Sequence, residues 1–145
     1  MILSAAEIAR RLDQDHVAGK LVIRPYNRES QQPASYDLRA AEVTCLPCGT
    51  CTLLPTLEWV ELPMDLAGTI RCRSSFGRRG VLLGAGFVDP GFHGQLTLCL
   101  TNMGKENIMI IENDRVAQMI LYEVRNPGEC YSGRYQDSLG AVEAK

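Results

Sequence analysis

Three guanidinium groups and two hydroxyls crowd into one short stretch, Arg73-Ser74-Ser75-Phe76-Gly77-Arg78-Arg79-Gly80. Serine hydroxyls and backbone N–H groups at such a turn can hold phosphate oxygens, and arginine adds a bidentate fork. Alone, the stretch reads equally well as a solvated basic loop. Two further segments carry polar groups in apolar surroundings. Gly86-Phe87-Val88-Asp89-Pro90-Gly91-Phe92-His93-Gly94 sets the carboxylate of Asp89 between an apolar strand and a tight turn. An Asp before Pro-Gly is often only a turn former. Asn113-Asp114-Arg115-Val116-Ala117-Gln118-Met119 places Gln118 inside an otherwise apolar run, where its amide needs a polar partner.

Cysteines offer a competing chemistry. Cys45-Leu46-Pro47-Cys48-Gly49-Thr50-Cys51 contains two overlapping CxxC spacings. An iron–sulfur cluster would need a fourth ligand beyond these three thiolates. A zinc nucleoside deaminase uses a PCxxC half-site, which Pro47 to Cys51 matches, but also an HxE element. The two histidines, His16 and His93, are followed by Val17-Ala18 and Gly94-Gln95, so neither supplies the Glu. The preferred reading is a β-hairpin turning at Pro47-Cys48-Gly49, its cysteines serving as small apolar residues. Cys72, Cys99 and Cys130 are scattered and read as structural. Trp59 reads as a core or interface residue, and His16 as the solvated end of a helix.

The elements that must position these groups are mostly strands. One helix is expected near the start, where Ser4 and Glu7 form a capping box, Ile8 and Leu12 repeat at helical spacing, and Gly19 stands beyond the end. Leu21 to Ile23 is a short apolar run closed by Pro25. Gly68 to Ser75 alternates, with Ile70 and Cys72 on one face and Arg71 and Arg73 on the other. From Gln95 to Asn102, Leu96, Leu98 and Leu100 point one way and Thr97, Cys99 and Thr101 the other. Ile108 to Ile111 and Val116 to Tyr122 are further runs. Turn chemistry separates the pieces, which together predict an all-β sandwich or barrel. Residues 125–145, rich in Gly, Ser and charge, read as a tail that orders only in contact with something.

Composition fits a single soluble domain over residues 1–145. The chain has 46% apolar and 22% charged residues and a net charge of -2. That charge argues against nucleic acid as a partner. No apolar run reaches the roughly 20 residues of a membrane span. Met1 to Ser4 carries no basic region or apolar stretch of an export leader. A cytoplasmic location with six reduced thiols is expected.

Five segments in order resemble the superfamily that joins deoxyuridine triphosphatases with deoxycytidine triphosphate deaminases. Gln32 to Arg39 resembles its first motif, Arg73 to Gly80 its phosphate loop, and Gly86 to Gly94 its aspartate and nucleoside hairpin. Asp114 to Met119 resembles the fourth motif and Tyr131 to Gln136 the C-terminal lid. Leu57 to Pro63 and Met1 to Ser4 favour the deaminase-like branch. The resemblance implies a distorted jelly-roll-like β-barrel and a homotrimer with active sites between subunits. It implies Asp89 and Gln118 as catalytic residues. It also implies Arg73, Ser74, Ser75, Phe76, Gly77, Arg78, Phe92, Thr97, Tyr131, Arg134 and Gln136 around the substrate. Mg²⁺ would be held mainly by the triphosphate and waters, with no protein-only metal site.

The deaminase glutamate of the family would fall at Cys99, and a thiol is a poor substitute for a carboxylate. Val81 to Val88 is shorter than in typical deaminases and resembles the triphosphatase form. Phe92 stands where triphosphatases carry a Tyr against the deoxyribose. The reading implied is a dUTP diphosphatase forming dUMP and pyrophosphate. The alternatives are a dCTP deaminase with another base, a non-catalytic nucleotide-binding regulator, and a metal or redox protein built on Cys45, Cys48 and Cys51.

Overall fold

The computed structural model describes residues 1–13, 20–84 and 86–145. Gly19 and His16 lie outside these, so neither the helix stop nor the histidine's setting is described. The helix α1 (Ala5–Asp13) begins as expected, with the Glu7 N–H donating to Ser4 Oγ at 3.3 Å. The Glu7 carboxylate does not complete the capping box. It instead accepts from Arg10 and Arg11, and a hydrogen bond from Arg10 is the chief reason its pKa falls to about 2. A depressed folded-state pKa gives stability that is present above the ordinary value of 4.5 and lost as pH falls toward about 2. Glu7→Gln should therefore flatten that part of the acid unfolding curve, by less than about 1 kcal/mol because the pair faces solvent.

Among the described residues eleven strands follow, beginning with β1 (Val22–Arg24), β2 (Gln31–Gln32), β3 (Ser35–Arg39), β4 (Thr44–Leu46), β5 (Cys51–Glu61) and β6 (Leu66–Cys72). After the short helix α2 (Ser74–Gly77) come β7 (Val81–Gly84), β8 (Phe87–Val88), β9 (His93–Asn102), β10 (Ile108–Ile110) and β11 (Arg115–Glu123). They form a four-stranded sheet ordered β1-β5-β9-β7, a five-stranded sheet ordered β2-β3-β11-β6-β8, and a β4–β10 ribbon. The architecture is jelly-roll-like and mostly β, as expected, but the described sheets do not close into one barrel.

Alternation decides which residues meet. Along β9 every second residue is buried, so Leu96, Leu98 and Leu100 enter the core while Gln95, Thr97 and Cys99 face the other way. On the five-stranded sheet, Tyr36, Met119 and Ile70 share register and line the core. Asp37, Gln118 and Arg71 therefore share the opposite face.

The cysteine-rich segment departs from expectation. β4 pairs with β10, and β5 with β1 and β9, so Pro47 to Gly49 carries the chain between sheets rather than closing a hairpin. Cys45, Cys48 and Cys51 are exposed, not packed as small apolar residues. Among the described residues, no group of three or more His, Cys, Asp or Glu side chains is placed to hold a metal. No described helix is long and apolar enough to cross a membrane.

Candidate active site

The turn at Asp89 is built by Pro90 and Gly91. Gly91 takes φ 79°, and the Phe92 N–H donates back to Asp89 O at 3.2 Å, the pattern of a turn requiring glycine at its third position. A side chain on Gly91 would also strike Cys130, whose Cβ lies 2.7 Å from where a Gly91 Cβ would stand. The turn thus presents exposed Asp89 at the edge of a cavity of about 460 Å³ and sends Phe92 inward. Phe92 and Tyr131 meet edge to face at 5.8 Å between ring centres. Thr97 and Cys99 of β9, Leu53 of β5 and Ile70 of β6 line the same cavity.

Expected site residues Asp89, Phe92, Thr97 and Tyr131 therefore come together on one chain. Asp89 is the only acidic side chain among the described lining residues. Cys99, where a deaminase glutamate was expected, is half-buried in the wall. Burial, and secondly the neighbouring Cys51 thiol, push its pKa above the ordinary thiol value, so it is protonated at neutral pH. Cys99 is thus a lining residue and not merely structural.

The residues of the expected phosphate loop sit elsewhere. Arg73 follows β6 and stands at the N-cap of α2, so the expected loop is a single helical turn. Ser74, Ser75, Gly77 and Arg78 are exposed, and Phe76 packs partly against the core. Arg73 is not free: its Nε lies 3.1 Å from Asp37 Oδ2, and its Nη1 donates to Arg115 O at 3.0 Å. Arg115 approaches Asp37 to 3.7 Å. Burial raises the Asp37 pKa, and the charges of Arg73 and Arg115 oppose that rise. Gln118 is the register partner of Asp37 on the adjacent strand. Asp37, Arg73 and Gln118 thus make a second cluster on the outer face of the five-stranded sheet. None of its residues, and none from 74 to 79, lines the cavity.

The C-terminal residues divide between structural and lining roles. Gln136 accepts from the His93 N–H at 3.0 Å and donates to Gly91 O at 2.8 Å, so it braces the hairpin. Arg134 donates to the carbonyl of Lys145. Gln95, Ser138 and Val142 line the cavity and were missed by sequence reasoning. The position of Gln95 on the Thr97 face of β9 was the one available signal.

The family model of dCTP deaminase-like proteins matches residues 40–124, and the chain belongs to that family. A dCTP deaminase of Pyrococcus horikoshii is 34% identical over 142 residues, 87% of this chain and 91% of the relative. A dUMP-forming dCTP deaminase of Corynebacterium glutamicum is 31% identical, spanning 100% of this chain and 96% of that protein. Among solved structures, the EIAV dUTPase superposes with a TM-score of 0.64 at 24% identity, over 80% of this chain and 98% of the other. A 2′-deoxycytidine 5′-triphosphate deaminase from Agrobacterium tumefaciens gives 0.69 at 20% identity, over 83% of this chain but 47% of that one. At these identities the structures speak for the shared fold.

Proposed function

We propose that the protein is a dUTP diphosphatase, hydrolysing dUTP to dUMP and pyrophosphate. One observation carries the reading: among the described lining residues Asp89 is the single carboxylate, at the cavity's edge, and the thiol of Cys99 stands where ring deamination would need a base. Asp89 orients a water and takes its proton as the oxygen attacks the α-phosphorus. The bond between that phosphorus and the bridging oxygen breaks, and pyrophosphate leaves. Phe92 and Tyr131 pack the nucleoside, and the ring of Phe92 leaves no room for a ribose 2′-hydroxyl. Arg73 and Arg78 neutralise charge on the phosphates, and Ser74, Ser75 and Gly77 contact them, with Gln118 beside them.

Within one chain the phosphate cluster and the cavity are separate, so the complete site takes the cluster from a neighbouring copy. This supports a homotrimer with sites between subunits. Mg²⁺ enters as part of the substrate, carried by triphosphate oxygens and water, as suits an ion that keeps several of its waters. Without a broad basic surface or an apolar span, nucleic acid and membrane are not proposed as partners. A cytoplasmic deoxynucleotide enzyme is the coherent reading.

A second reading, dCTP deamination, is favoured by the names of the sequence relatives. The test is a paired assay with Mg²⁺, scoring pyrophosphate from dUTP and ammonia from dCTP separately. Pyrophosphate without ammonia is the expected result. Ammonia from dCTP would instead establish the deaminase, and binding without either product a regulator.

A further inference from the structure

The C-terminal segment meets β9 through an isolated parallel bridge, and then changes how it is held. Gly94 pairs with Ser138, the Asp137 N–H donates to His93 O at 3.0 Å, and the Gln95 N–H donates to Ser138 O at 2.8 Å. The next two alternate amides of the tail are held by side chains instead. The Gly140 N–H donates to Gln95 Oε1 at 2.7 Å, and the Val142 N–H to Thr97 Oγ1 at 3.0 Å. The two-residue step of β9 from Gln95 to Thr97 matches the two-residue step from Gly140 to Val142, which sets one side-chain acceptor against each of these two amides. Gln95 is aimed in advance, because its Nε2 donates to the carbonyl of buried Thr56 at 2.9 Å. Val142 and Ala144 are thereby held as walls of the cavity.

We propose that Gln95 and Thr97 are positioning residues, a two-rung side-chain latch that holds residues 140–144 against the cavity. The consequence for turnover rests on the nucleotide reading above: a latched tail keeps water off the nucleoside, and an unlatched one lets the substrate go. Thr97 then acts through the tail and not by touching the base.

Amide hydrogen exchange on the full chain without nucleotide tests the latch directly. Thr97→Val keeps the shape and removes the acceptor, so the Val142 amide should exchange roughly tenfold faster or more while the Gln95 amide is unchanged. Thr97→Ser, which keeps the hydroxyl, should preserve the protection. Equal Val142 exchange in the parent and Thr97→Val proteins would overturn the latch. With dUTP, Thr97→Val should raise KM roughly fivefold with a smaller change in kcat. A raised KM with Val142 exchange unchanged would put Thr97 on the substrate and likewise overturn it. If the parent protein neither binds nor hydrolyses dUTP, the nucleotide reading fails, and the exchange comparison still decides the latch.

Discussion

Asp89→Asn protein should release pyrophosphate from dUTP roughly a thousandfold more slowly than the parent, within the usual range for loss of a general base. Its affinity for dUTP should stay within about threefold. The asparagine keeps the size of the side chain and its place at the turn, since the contact that closes the turn uses the Asp89 carbonyl and not its carboxylate. What disappears is the ability to take a proton from water. Pyrophosphate release measured beside calorimetric binding of dUTP separates the two roles. Parallel loss of both would make Asp89 a binding group and remove the catalytic assignment.

The second large effect lies away from the cavity. Glu58 is fully buried, and its carboxylate accepts from the Arg39 N–H at 2.9 Å and Arg39 Nε at 2.7 Å. Arg39, 8% exposed, uses a further N–H on the carbonyl of Pro25 at 2.6 Å. Burial pushes the Glu58 carboxyl up in pKa, and the bonds from Arg39 pull it back. Glu58→Ala would leave a desolvated guanidinium without its counter-ion, at a cost of about 3–5 kcal/mol. Total stabilities run to about 5–15 kcal/mol, so the variant should be largely unfolded or melt at least about 10 °C lower. Urea unfolding followed by circular dichroism would check this. A change below about 1 kcal/mol would show that the pair is dispensable. Glu58→Gln should cost less, because it can still accept from the Arg39 backbone.

Several features were legible because they depend on neighbours in the chain. The alternation of β9 placed Leu96, Leu98 and Leu100 in the core and Thr97 with Cys99 on the other face, and the structure shows that arrangement. The capping Ser4 and the glycine-dependent turn after Asp89 were legible for the same reason. Glu58 stood only as part of a recognisable segment, since nothing local says that Arg39, nineteen positions earlier, will neutralise it. The cysteine-rich segment misled because a turn shows where a chain bends, not which strand it pairs with next. What the tail would contact was not legible for a related reason: its polar composition names no partner, and its backbone amides find acceptors on β9.

Residue types and spacing alone determined that the chain would be rich in short strands, that Asp89 would sit at a sharp turn, and that position 99 would carry a thiol facing away from the core. Tertiary structure alone decided that Arg73 would be tied to Asp37, that the arginine loop would lie apart from the Asp89 cavity, and that the tail would wall that cavity. The physical reason is range. Side-chain direction within a strand is set by backbone geometry over two residues, whereas ion pairs and strand partners are chosen by which distant surfaces can be buried together.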